Sequence, residues 1–150
     1  MAQEEVAAMA RDSLVREEVL GRDECLRLLA TRHLGRVAVA VEGWSPLIRP
    51  VNYRFDPSSQ SVIFRSGSGT KLTGLLRAHA VTFEADEIDE AGHTGWSVIV
   101  SGRAEEVVRP GDLAHVEALG LEPWVPGDLP HWFRVRTEMV SGRRIARVGA

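Results

Sequence analysis

Apolar positions along the chain fall into short stretches with two different periods. At Val37, Val39 and Val41 bulky residues alternate with Ala38 and Ala40, the period-two pattern of a strand whose faces differ in bulk. Similar stretches predict strands over residues 36–42, 47–55, 61–65, 79–88, 95–108, 132–140 and 143–148. The breaks Gly43-Trp44-Ser45-Pro46 and Asp56-Pro57-Ser58-Ser59 are turn sequences. Helical spacing shows in three places. Leu26, Leu29 and His33 follow an N-cap at Asp23 and stop at Gly35. Leu72, Leu75 and Leu76 share one side of residues 70–77. Leu113, Val116 and Leu119 follow Pro110 and stop at Gly120. Residues 1–20 are polar and alanine-rich, and read as an arm or short helix without a core of its own.

Strands in quick succession, with no β-α-β alternation, predict a mainly β protein with short helices. The expected architecture is an antiparallel barrel of six to seven strands with helices packed outside. It divides into an N-terminal arm at residues 1–21 and one barrel domain at residues 22–150. A net charge of -3 offers no basic stripe, so nucleic acid is not an expected partner. The apolar runs are too short to span a membrane. The acidic first twenty residues lack the apolar core of a signal peptide. Cys25 is the single cysteine, which excludes an internal disulfide and a multi-cysteine metal site. A cytoplasmic protein without a metal is the expectation.

Candidate chemistry concentrates in Phe64-Arg65-Ser66-Gly67-Ser68-Gly69-Thr70-Lys71-Leu72. A strand ends on a cation, a small flexible loop turns, and a helix opens on a hydroxyl and a second cation. Open amides and the positive dipole end of such a helix favour an anion. Lys71 is the only lysine among eighteen basic residues, so its place here is suggestive. The spacing of Gly67, Gly69 and Lys71 is too short for a Walker loop. The plainer alternative is a surface turn before an ordinary capped helix. Trp96 opens a long strand, where its indole covers an aromatic ligand or plugs the barrel end. Trp124, His131, Trp132 and the Arg143-Arg144 pair suit a subunit interface better than a ligand site. Five scattered histidines form no HExxH pair, and no G-x-S-x-G turn supports hydrolysis.

Arg49-Pro50-Val51-Asn52-Tyr53, Ile63-Phe64-Arg65-Ser66 and Gly69-Thr70-Lys71-Leu72 lie on successive predicted elements. With Phe83-Glu84, Gly95-Trp96-Ser97-Val98, Gly102-Arg103-Ala104-Glu105 and Gly142-Arg143-Arg144, the ordered set resembles the pyridoxamine 5′-phosphate oxidase-like FMN-binding split barrels. The resemblance implies a split barrel built by two copies of the chain and holding FMN. It places Pro50, Val51 and Asn52 beside the isoalloxazine, and Arg65, Ser66, Thr70 and Lys71 at the phosphate. Trp96 and Ser97 come from a neighbouring strand, often the partner's, and Arg143 joins the cofactor contacts near the ring. The shorter phosphate segment and the tail Arg143-Arg144-Ile145-Ala146-Arg147 depart from the oxidase itself and point away from pyridoxamine phosphate as substrate. What remains implied is an oxidoreductase linking a reduced nicotinamide to an unidentified acceptor, with no side chain assigned to catalysis. The alternatives are a flavin carrier or sensor without turnover, or the same fold around a deazaflavin coenzyme or haem. Haem would draw on His79 or His131.

Overall fold

The structure is a computed structural model and describes residues 2–6 and 14–149. After a helical stretch at residues 2–6, the elements run β1 (Val15–Leu20), α1 (Arg22–Leu29), β2 (Leu34–Val39), β3 (Leu47–Asp56), β4 (Ser61–Ser66) and α2 (Lys71–Ala78). They continue with β5 (Ala80–Asp89), β6 (Thr94–Val107), α3 (Pro110–Glu117), β7 (His131–Arg136) and β8 (Met139–Arg147). The strand order is β1-β8-β6-β5-β2-β3-β4-β7, and a second pairing of β6 with β7 closes six strands into an antiparallel barrel. Closure is possible because β6 is long enough to serve two neighbours. Its first half, Gly95 to Ser101, pairs with β8, and its second half, Ala104 to Val107, pairs with β7. β8 and β1 therefore extend one side of the barrel as a flap. The expected mainly β, split-barrel architecture is what the chain adopts.

Several boundaries differ from the sequence reading. Residues 15–20 of the predicted arm form β1, which pairs with β8 over its whole length, from Val15 opposite Arg147 to Leu20 opposite Gly142. The rest of the predicted arm at residues 7–13 lies outside the described residues. Gly21, not Asp23, is the N-cap of α1, and Asp23 sits in the first turn, where a carboxylate favours the dipole. Gly35 does not stop a helix. It lies within β2, where an added Cβ would come 2.3 Å from the Phe83 ring and 2.6 Å from the Glu84 carbonyl oxygen. β5 starts and ends one residue later than the predicted strand 79–88, and Glu90 opens the turn that follows.

The barrel interior is filled by the inward faces of all six strands. Tyr53, Phe64, Phe83 and Phe133 are its largest fully buried side chains. Tyr53 meets Phe83 edge-on at 4.8 Å between ring centroids, and its hydroxyl donates to the Leu29 carbonyl at 2.7 Å. That bond fastens the end of α1 to β3 and gives the buried phenol its partner. α3 packs elsewhere, with Val116 against Ile63, Val107 and Trp132 on the outside of β4, β6 and β7. A buried Asp56 ties this helix to the β3–β4 turn. Its Oδ1 accepts from the Ser58 hydroxyl at 2.9 Å and lies 3.0 Å from His115 Nε2, and its Oδ2 accepts from Ser59 at 2.6 Å. Burial pushes the Asp56 carboxyl up, but these bonds outweigh it and hold the group at about 2. Ser58 and Asp56 both face the same ring nitrogen of His115, so the cluster is a clasp and not a proton relay.

Candidate functional site

Two open cavities divide the residues singled out from the sequence. The first, a groove of about 300 Å³, is walled by Pro50, Val51 and Asn52 of β3, by Arg65 and Ser66 at the end of β4, and by Thr70 at the start of α2. Six of the ten expected cofactor residues converge there. Lys71 does not line it; it stands exposed as the first residue of α2. The second cavity, about 530 Å³, takes Trp96, Ser97 and Arg143. Between β3 and β6 stand β2 and β5, so Asn52 and Ser97 are separated by three strand spacings, roughly 14 Å. Within one chain, nine of the ten residues form two half-sites, and Lys71 lines neither.

The loop between β4 and α2 is held by hydroxyls. Thr70 caps α2, its Oγ1 accepting from the Thr73 amide at 3.1 Å. Thr73 is 1% exposed, and its hydroxyl donates to the Gly67 carbonyl at 2.6 Å while meeting Ser66 Oγ at 2.6 Å. The hydroxyls of Ser66 and Thr70 are thus engaged in shaping the loop, and the helix geometry leaves the amides of Lys71 and Leu72 open. Gly69 takes a left-handed φ of +67°, which lets the chain turn sharply into the helix. Arg65 is anchored at its base: Nε donates to the Leu129 carbonyl at 2.8 Å, and the guanidinium lies 4.6 Å over the Trp132 ring. Its two terminal nitrogens are free of that anchor. Fixed cation, open helix start and small loop make a site for a phosphate-sized anion.

The same groove also carries amide chemistry. Asn52 Oδ1 accepts from the Trp124 backbone amide at 2.9 Å, and its buried Nδ2 has no partner. An orphaned donor of this kind costs about 1–3 kcal/mol until an acceptor meets it. Leu121, Pro123 and Val125 of the loop after α3 supply the apolar side of the same groove. Neither Thr73 nor this loop stands out in the sequence. A threonine inside a helix carries no mark of its bonding, and the loop reads only as Pro/Gly-rich. His131 is a further participant: its Nε2 lies 3.0 Å from Ser68 Oγ, while Nδ1 faces Glu106 at 3.5 Å. Trp124, by contrast, is 70% exposed, and Arg144 is bound to Glu24 at 2.5 Å.

Between the half-sites, on the outer face of the sheet, Arg36 lies 3.5 Å from both Glu84 and Asp86. Burial, and then the neighbouring Asp86 carboxyl, raise Glu84 to about 7. A carboxyl raised in the fold binds its proton more tightly there than in the unfolded chain. Its stabilising effect is complete below about 4.5 and is lost as the pH rises through about 7. Glu84→Gln is therefore expected to flatten the dependence of Tm on pH between 5 and 8, with its largest gain at pH 8. Thermal unfolding of both proteins at pH 5 and pH 8 measures this.

The chain is an antiparallel split barrel with a strand-to-helix loop suited to an anion beside an amide-lined groove, an arrangement that can hold a cofactor. A family model described as pyridoxamine 5′-phosphate oxidase matches residues 21–144. An uncharacterized protein of Mycobacterium tuberculosis is 39% identical over 131 residues, covering 84% of each chain. Among solved structures, an FAD binding protein from Mycobacterium smegmatis is 36% identical with a TM-score of 0.72, over 86% of this chain and 98% of that one. An FAD-binding protein from Mesorhizobium loti is 27% identical with a TM-score of 0.70, over 88% of this chain and 98% of that one. The chain belongs to the pyridoxamine 5′-phosphate oxidase family.

Proposed function

We propose that this chain is an FMN-binding oxidoreductase of the cytoplasm that works as a homodimer. The observation that carries this is the first groove, where an anion site, an unpaired Asn52 Nδ2 and an apolar wall line one cavity. A flavin matches that sequence of chemistry, with phosphate, chain, and a ring edge rich in acceptors. Arg65, the Ser66–Thr70 loop and the open amides of α2 would hold the phosphate, with Lys71 adding long-range charge from its exposed position. Pro50, Val51 and Asn52 would hold the ring edge. A bound flavin would supply the hydride and electron transfer. The groove's own residues orient the ring, and Asn52 offers a donor where its reduction accumulates negative charge.

The second copy supplies what one chain lacks. Trp96, Ser97 and Arg143 lie too far across the sheet to face the first groove, so a partner brings its own set. The surface for that partner is the outer sheet face, where Val19, Ile48, Ile99 and Met139 are exposed by 77, 58, 42 and 69%. Such a dimer should bury more than about 2,000 Å² in total. Light scattering at micromolar concentration should find two chains per particle; a monomer that retains flavin would overturn the shared site.

The 36% identity to an FAD binding protein favours a second ligand, FAD, for the same groove. Titration with each flavin separates the two. For the reaction, the flavin-loaded protein is mixed anaerobically with NADPH and with NADH. Bleaching of the flavin band by either supports the nicotinamide-linked enzyme. Bleaching by dithionite alone makes the protein a flavin carrier or sensor.

A further inference from the structure

Where β6, β7 and the start of α3 meet, the outside of the barrel carries another cavity, of about 310 Å³. Alternation along β7 explains its chemistry. Phe133 and Val135 fill the barrel, so Trp132 and Arg134 face outward, Trp132 packed with α3 and Arg134 in the cavity wall. Arg134 stands opposite Glu105 of β6 and Ile63 of β4. Glu105 is the natural partner, but it is taken: Arg136 donates to both of its oxygens, at 2.9 and 3.5 Å. Nε of Arg134 is shut off from solvent and has no acceptor. Buried donors in that condition are rare, and each calls for a partner.

The charges around that atom sort into used and unused. Of the carboxylates in the wall, Glu105 is paired with Arg136, and Glu106 with Arg77 of α2 at 2.7 Å. Arg109, the residue before α3, also lines the cavity. Among the described residues, neither its side chain nor that of Arg134 forms a hydrogen bond or an ion pair, and Asp112 is the one carboxylate of the wall without a cation. Two free guanidiniums against one free carboxylate leave a positive charge in excess. The side-on edge of a guanidinium, Nε with one terminal nitrogen, matches the two oxygens of a carboxylate. We propose that this cavity binds the carboxylate of a small organic acid, seated on the Nε edge of Arg134 with Arg109 beside it. Asp112 sets the charge of the ligand: one negative charge is balanced and a second is repelled, so a monocarboxylate outranks phosphate. The volume lies at the small end of ligand sites. None of these residues lines either half-site of the flavin reading, so the proposal stands apart from it.

The test uses sodium lactate, sodium phosphate and sodium chloride as probes of the whole protein at constant ionic strength. In nitrogen–proton correlation spectra of isotope-labelled protein, the Nε–H signal of Arg134, assigned by its absence from Arg134→Lys, should move saturably with lactate. Chloride should move it little. Arg134→Lys keeps the charge but loses the planar edge, and should weaken lactate binding roughly tenfold by calorimetry. Asp112→Asn, at an exposed position, should raise phosphate affinity over lactate affinity by roughly threefold. A signal that answers chloride as strongly as lactate, or does not saturate, overturns the proposal. So does an unchanged lactate affinity in Arg134→Lys, or an unchanged ratio of lactate to phosphate in Asp112→Asn.

Discussion

Gly35→Ala is expected to cost at least about 3 kcal/mol and to lower Tm by roughly 10 °C. A methyl group there would lie 2.3 Å from the Phe83 ring and 2.6 Å from the Glu84 carbonyl oxygen. Neither neighbour yields easily. Phe83 is fully buried and packed edge-on against Tyr53, and Glu84 pairs with Arg36 in the β2–β5 ladder. The β2 backbone would have to move while laddered on both sides. Adding Phe83→Leu should restore part of the loss, because it removes the ring but leaves the carbonyl contact. Thermal unfolding of the single and double variants reads both effects. A single variant within about 0.5 kcal/mol of wild type would mean that the sheet is far more pliable here than its packing indicates.

Thr73→Val should weaken FMN binding by roughly tenfold or more without removing any group that faces the groove. The valine keeps the shape of the side chain but takes away the hydroxyl that joins Ser66, Gly67 and Thr70. Buried Ser66 Oγ then loses its partner at about 1–3 kcal/mol, while the Gly67 carbonyl keeps only the Thr70 hydroxyl at 3.2 Å. The loop can recover part of that cost by opening to water, which dissolves the anion site. Riboflavin, lacking a phosphate, should bind the variant and the wild type to within about twofold. Thr73→Ser keeps the hydroxyl and should rescue FMN binding. Equal losses for FMN and riboflavin would assign Thr73 to the fold in general and not to the loop.

Most barrel strands were legible because they alternate bulk and polarity on a surface buried on one side, and β4, buried on both faces, because it is a short apolar run bounded by turn sequences. β1 was not. Val15-Arg16-Glu17-Glu18-Val19-Leu20 is an edge strand facing solvent, so its pattern carries little apolar signal. What holds it is a partner more than 120 residues away, through the β8 ladder and the Arg143–Glu17 pair. Gly35 was misread for a related reason: a glycine after a helical pattern resembles a stop, and only the approach of Phe83 reveals its use. The anion loop could be found from sequence because strand end, loop and helix start are contiguous. Its internal wiring through Thr73 could not, since Ser66 and Thr73 look like any two hydroxyls seven residues apart. The grouping of Asn52 with Trp96, Ser97 and Arg143 came from family resemblance, and the single chain sets them on opposite sides of two intervening strands. In the proposed dimer a second copy unites them, and no local pattern encodes that.

The central claim is that the strand-to-helix loop recognises the phosphate of a flavin whose ring edge meets Asn52. Parallel calorimetric titrations of the wild-type protein with FMN and riboflavin test it most directly. The account predicts that FMN binds at least about tenfold more tightly, the worth of one or more charge-assisted hydrogen bonds. It also predicts that the advantage shrinks when Arg65 is changed to Gln. Equal affinities for the two flavins, or no binding of either, would contradict it.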